Sequence, residues 1–229
     1  MARSDGGLVW GSPTSVLLVD PPFKEYHLID LDQGNIEVLE LQVKSRTMGP
    51  YDPTAVFCYN ADCNEILLSR IFPRVRFEDY VRALCLLDPY GLHLDWRVID
   101  TAAKMKSVEI FLNFPIMDIN RNVLRRDPAK IDEGQASRLT RYWGDVSWRE
   151  VAYSSADNLF GFDEKDTNQA LADGFRKRLL SAGFAYVPEP MPMRNSKEAI
   201  LYYLFFASQK PVAAKIVRDI FEKYRNRRS

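Results

Sequence analysis

Apolar positions along this chain fall into short unbroken runs separated by longer stretches with helical spacing. Residues 84–87 (LCLL), 55–59 (AVFCY), 108–112 (VEIFL) and 26–31 (YHLIDL) have the length and composition of strands. The first of these shows no polar alternation, which predicts a parallel strand covered on both faces. Between the runs, residues 35–45 place Ile36, Leu39 and Val43 on one helical face, and residues 64–71 and 96–106 read as further helices. Strand and helix alternate, so the expected class is α/β. The expected fold is a Rossmann-like, doubly wound, mostly parallel sheet.

The chain's two ends and its middle depart from that rhythm. Ser12-Pro13 predicts a helix start, with Ser12 as N-cap and Pro13 in the first turn. Residues 14–19 then fit a helix turn or a short strand, closed by Asp20-Pro21-Pro22-Phe23. Residues 116–182 turn helical and charged, which predicts a helical insertion on the sheet. Within it, 154–167 is loop-like, and a helix over 168–181 is halted by Gly183. Residues 184–187 and 200–207 restore strand character, joined by an extended proline-rich link over 188–192. Because 200–207 (ILYYLFFA) is apolar on both alternations, it predicts an interior strand and not a helix. An amphipathic helix over 212–224 leads into Arg225, Arg227 and Arg228. The whole of 1–229 is expected to be one domain.

Composition changes this picture little. With 46% hydrophobic and 27% charged residues, the 229-residue chain is globular in character and not disordered. Its formal net charge is zero, so only a local basic patch argues for a nucleic-acid partner. Cys58, Cys63 and Cys85 lie outside any CxxC pattern, and His27 and His93 have no ligand spacing to them. Reduced, buried thiols of a cytoplasmic protein are expected, with no metal. The longest apolar run is too short to span a bilayer, and no signal peptide opens the chain.

Candidate chemistry gathers at strand ends. Asp30 and Asp32, Asp62, Asp88 and Asn113 each follow a predicted strand. Open α/β sheets bind ligands at the carboxyl edge, where an acid after the second strand can accept from ribose hydroxyls. Polar residues are also common wherever a strand leaves the core, so four at one edge count for more than any one. Asp88-Pro89-Tyr90 is the sharpest of them. In amino-group methyltransferases an acid, amide or serine followed by two prolines and an aromatic orients the target amine, and Asp88-Pro89-Tyr90 lacks the second proline. Asp20-Pro21-Pro22-Phe23 matches that pattern more fully, and Asn113-Phe114-Pro115 is a weaker variant. Arg121, Arg125, Arg126, Lys130, Arg138 and Arg141, with Tyr142, Trp143 and Trp148, fit either phosphate and base binding or a solvated helical face; the solvated face is the stronger reading. No nucleophile elbow, Walker loop or metalloprotease helix is present.

Several blocks resemble the three-Cys-motif partner protein family, TcmP: GSPTSVLLVDPPFKEYHLIDLD, YNADCNEIL, CLLDPYGLHLDW, VEIFLNFPIMDINR and VPEPMPMRNSKEAILYYLFFASQKPVAAKIVRDIF. They run collinearly over nearly the whole chain. The resemblance implies a fold related to S-adenosylmethionine-dependent methyltransferases. It also implies a radical-SAM-like partner carrying a cysteine triad, and a nucleic-acid modification setting in phage, mobile elements or defence. By that match Asp32, with Asp30 beside it, takes the ribose acid position and Asp62 the adenine side. Asp88, Pro89 and Tyr90 take the catalytic-motif position, and Asp20-Pro21-Pro22-Phe23 only ends the first helix. The other reading is a non-catalytic partner or scaffold subunit with a vestigial cofactor pocket.

Relatives carry upstream a strand and a loop of the form Asp-x-Phe-Ala-Gly-x-Gly, for which residues 1–10 are too few. A first, central strand is therefore expected to be missing from this sequence, with a start further upstream and residues 8–10 filling at most part of the gap. As given, the chain is expected to bind S-adenosylmethionine weakly or not at all. Calorimetric titration of this chain against an upstream-extended one checks this, and micromolar binding by the shorter chain contradicts it.

Overall fold

All but one of the strands expected from the pattern form, and they lie in two sheets instead of one. The structure, a computed structural model, describes residues 11–45, 49–153 and 164–226. They divide into two compact units, Met1–Ser69 and Arg70–Ser229. The expected filling of a gap by residues 8–10 lies outside the described residues.

In the first unit, α1 (Ser12–Leu17) precedes β1 (Tyr26–Asp30), α2 (Gln33–Ser45), β2 (Val56–Asn60) and α3 (Cys63–Ile66). β1 and β2 pair in parallel, from Tyr26 opposite Val56 to Asp30 opposite Asn60. Leu17, Tyr26, Leu28, Val43 and Tyr51 form the core, with Leu39 and Cys58 packed against it. The open choice at residues 14–19 resolves as helix as far as Leu17, but Gly11 is the N-cap and Ser12 is already helical. No side chain caps this helix; Pro13 sets its first turn. The helix expected over 64–71 is α-helical only to Ile66. It continues as a wider π-type turn over Leu67–Ile71, through which the chain enters the second unit.

The second unit contains β3 (Ala83–Leu87), α4 (Trp96–Met105), β4 (Val108–Phe114), α5 (Ile116–Asp118), α6 (Glu133–Trp143), α7 (Trp148–Tyr153), α8 (Glu164–Ala182), β5 (Met191–Arg194), β6 (Ile200–Ala207) and α9 (Pro211–Asn226). Its sheet has the order β3-β4-β6-β5. β3 and β4 are parallel, whereas β6 is antiparallel to both β4 and β5. This sheet is therefore mixed, not mostly parallel. The reason is local. Only a tight turn separates β5 from β6, with the Asn195 side chain accepting from the Lys197 and Ala199 amides, and so short a link makes a hairpin.

Three expectations shift with that hairpin. β6 is an interior strand, as its two-sided apolar pattern requires. The strand expected over 184–187 is absent; Tyr186 makes only an isolated bridge to Ser208. The proline-rich link instead supplies β5, with Pro192 in the strand, which an edge position tolerates. β3 is also an edge strand. Leu84 and Leu86 are 39% and 44% exposed, so this run is covered on one face, not two.

Val108, Ile110, Leu112 and Phe114 of β4 alternate inward and are fully buried. Against them the helices of residues 116–182 build an aromatic core. Phe175 of α8 lies 4.7 Å from Phe114, 5.4 Å from Phe205, 5.5 Å from Trp143 and 5.7 Å from Tyr142 between ring centroids. Trp143 and Trp148 are fully buried and donate their indole N–H groups to Ser147 and Thr140. On the opposite face of the sheet, Val217 and Phe221 of α9 cover Phe206 and Phe111.

Two predictions follow from this packing. Phe175→Ala removes the centre of the aromatic cluster and is expected to cost about 3–5 kcal/mol, against under about 1 kcal/mol for Leu86→Ala at the exposed edge. Urea unfolding of both variants checks the contrast. Asp95 caps α4 by accepting from the Arg97 amide and side chain. Burial pushes its carboxyl up, but the Arg97 hydrogen bonds and the Arg97 and Arg141 charges hold it below the usual range. A depressed folded value makes its contribution complete above about pH 4 and lost as pH falls through that value. The stability gap between wild type and Asp95→Asn should accordingly narrow below about pH 4; a gap constant down to pH ~3 contradicts this.

Candidate functional site

Parallel pairing of β3 with β4 sets Leu87 opposite Leu112, so the residues leaving the two strands emerge side by side. Asn113 donates from Nδ2 to Asp88 Oδ1 at 2.6 Å. The buried Tyr142 hydroxyl donates to the Asn113 carbonyl at 3.2 Å, and burial pushes that phenol well up, keeping it neutral. Asp88 itself is exposed. Burial first, and then the Asp88 charge, raise the Tyr202 phenol of β6, which places Tyr202 within electrostatic reach.

Beyond Asp88, Pro89 ends the ladder and turns the chain outward. Tyr90 is 90% exposed, with its ring 6.2 Å from that of His93. Gly91 follows with φ +56°, a conformation that favours glycine. Behind it stands Asp118, at the end of α5. One Asp118 oxygen accepts from Asn122 at 2.6 Å; the other, Oδ2, is buried without a hydrogen-bond partner among the described residues. A Cβ on Gly91 would lie 3.0 Å from Asp118 Oδ2 and 3.6 Å from Arg138 Nη2. Arg138 in turn donates to Gln135 at 2.8 Å and lies 3.4 Å from His93 Nε2.

The remaining predicted site residues belong to the first unit. Asp30 accepts from the Asp32 amide and from Asn35 Nδ2, and Asp32 Oδ1 accepts from the Asn35 amide at the start of α2. Asp62 caps α3, accepting from the amide and side chain of Asn64. One oxygen of each of Asp32 and Asp62 makes no hydrogen bond among the described residues. These acids thus do two things at once: they start helices and they present a free acceptor at a strand end.

Other candidates separate from the site. Asp20-Pro21-Pro22-Phe23 is exposed; the Phe23 amide donates to the Tyr26 hydroxyl and its ring meets the Tyr26 ring edge-on. Asn113, the weaker variant, is the one that meets Asp88. Of the basic cluster, Arg125 caps local carbonyls of Arg121 and Leu124, Lys130 faces Asp127, and Arg138 reaches Gly91. Tyr142, Trp143 and Trp148 are buried, so they cannot stack on bases. The cysteines form no disulfide among the described residues and are half-buried instead of buried, and burial raises the Cys58 and Cys63 thiols. An open cleft of about 760 Å³, lined by Arg176, Tyr186, Lys215 and Arg218 among others, holds none of the predicted site residues. Among the described residues no three His, Cys, Asp or Glu side chains are placed to hold a metal. No described helix is long and apolar enough to cross a membrane.

Asp118 and Arg138 are the members of the site that strand-end reasoning did not reach. Asp118 stands three residues past Pro115 in the NFPIMD block, and that acid was the available signal.

No family model, curated protein or solved structure matches the chain. The functional reading therefore rests on the site's own chemistry. Gly91→Ala is expected to cost about 1–2 kcal/mol from its backbone conformation alone, and more as Asp118 yields to the new methyl group. Thermal unfolding of the variant beside wild type checks the loss.

Proposed function

We propose that the chain is a three-Cys-motif partner protein with a Rossmann-like, methyltransferase-like fold. It acts with a radical-SAM-like three-Cys partner in nucleic-acid modification in the cytoplasm, in a phage, mobile-element or defence setting. The observation that carries this reading is the pairing of Asp88 with Asn113 at adjacent parallel strand ends, beside an exposed Tyr90.

S-adenosylmethionine fits the first unit in its acceptors: its ribose and adenine donors need them, and Asp32 and Asp62 each keep an oxygen without a hydrogen bond among the described residues. When bound, the cofactor supplies an electrophilic methyl group. Asp30 shapes the turn that presents Asp32. On the second unit, the Asp88 carboxylate accepts one hydrogen of a target amine while Tyr90 stacks on the attached ring. Asn113 holds Asp88 in place. A neutral amine needs no prior deprotonation, so the task of Asp88 and Tyr90 is to hold it, and its proton passes to solvent after transfer. A base in a duplex must first be flipped out to reach an exposed ring such as Tyr90.

The competing reading, a non-catalytic scaffold with a vestigial pocket, is favoured by a specific observation: Asp32 and Asp62 already serve as helix caps, a role needing no ligand. Transfer of labelled methyl from the cofactor to DNA, RNA and protein, with the three-Cys partner present, distinguishes the two. The catalytic reading expects incorporation that falls about 100-fold in Asp88→Ala. Equal incorporation by both proteins removes Asp88 from the mechanism. Co-purification with the partner but no cofactor binding leaves the scaffold.

A further inference from the structure

The open cleft of about 760 Å³ in the second unit has the size of a small-ligand site. Asp173 and Arg176 of α8, residues 185–189 ahead of β5, and Pro211, Lys215 and Arg218 of α9 line it. Three of these side chains are cations. Arg176 donates from Nε to the Val187 carbonyl at 2.7 Å, which fixes the guanidinium and leaves its Nη groups without a hydrogen bond among the described residues. Lys215 and Arg218 are exposed and make neither ion pair nor hydrogen bond among the described residues. The acids of the cleft are already engaged: Asp173 accepts from Gln169 at 3.2 Å, and Glu189 pairs with Arg225 at 3.5 Å. α9 begins at Pro211 with no acid in its first turn, so the positive end of a 16-residue helix meets the same wall. Beside these charges the Tyr186 ring is 40% exposed, while its backbone is anchored by a pair of hydrogen bonds to Ser208.

We propose that this cleft binds a free nucleotide carrying two or three phosphates. Arg176, Lys215 and Arg218 take the phosphates, together with the positive end of α9, and the Tyr186 ring stacks on the base. A single phosphate would leave part of this cationic set unanswered, whereas a chain of two or three reaches across it. The cleft shares no residue with the Asp88 loop. Loss of this proposal therefore leaves the methyltransferase reading as it was, and loss of that reading leaves the cleft.

The test is calorimetric titration of the full chain with ATP, ADP, AMP, adenosine and inorganic triphosphate. ATP is expected to bind roughly tenfold more tightly than AMP, with adenosine weakest and the affinity falling as salt is added. Lys215→Gln and Arg218→Gln should each weaken ATP about fivefold. Both positions are exposed and hold nothing else in place, so the fold survives the change. Lys223→Gln removes the same charge from the same helix outside the cleft and should leave ATP binding within about twofold. Tyr186→Leu should weaken ATP about fivefold and leave inorganic triphosphate unchanged. No binding of ATP, adenosine binding as tightly as ATP, or an equal loss in Lys223→Gln and Arg218→Gln overturns the proposal. Inorganic triphosphate matching ATP also overturns it, because the ring then contributes nothing. So does an oligothymidylate of about ten nucleotides that binds more tightly than ATP, since the cleft would then follow a strand and not hold a free nucleotide.

Discussion

The second unit depends on one strand face. Val108, Ile110, Leu112 and Phe114 project from β4 to the same side and are all fully buried. Around Phe114 the neighbours are aromatic: Phe205 from β6, Phe175 from α8, Tyr142 and Trp143 from α6. Burying a side chain of this size contributes about 1.5–3 kcal/mol, and aromatic pairs add roughly 0.5–1.5 kcal/mol beyond their area. The helices of residues 116–182 are therefore not an appendage on a finished sheet. They provide the cover without which β4 would expose its most apolar face.

That packing also fixes the candidate site. Tyr142 belongs to the aromatic cluster through its ring and to the site through its hydroxyl, which bonds the Asn113 carbonyl. Asn113 then holds Asp88, so the position of an exposed carboxylate is set by a buried ring two bonds away. Arg178 plays a comparable part at the far end of α8. Its guanidinium lies over Trp96 and donates to the Trp143 carbonyl and to Asp145. Chemistry-bearing residues on short loops gain precision when their anchors sit in a rigid core.

What the sequence disclosed, and what it withheld, follows from the range of each interaction. Strand and helix identities came from local periodicity, which is why 26–30, 83–87, 108–114 and 200–207 were readable within a residue or two. Edge positions were not. The run at Ala83–Leu87 carries the composition of a strand covered on two faces, yet among the described residues it pairs on one side only and exposes Leu84 and Leu86. Pro192 misled in the opposite direction: proline argues against a strand interior, yet an edge asks nothing of its missing N–H. At the site, Asp88, Pro89 and Tyr90 were legible because the motif is contiguous. The relation of Gly91 to Asp118 and Arg138 spans 27 and 47 positions, and no spacing rule reaches so far.

β3 shows how one short segment can serve stability and chemistry together. Its ALCLL sequence has no charge or proline to blunt an open edge, and such edges invite pairing with other chains. Length supplies part of the protection, since the strand is only five residues long. Asp88 and Pro89 supply the rest, because a carboxylate and a missing N–H end the ladder abruptly. The same two residues then lift Tyr90 into solvent and start the turn that Gly91 completes beside Asp118. A polar group at this point costs the sheet little, since the strand must stop there in any case. A strand end is thus the place where an acid can be held rigidly, by Asn113 on the neighbouring strand, without being buried.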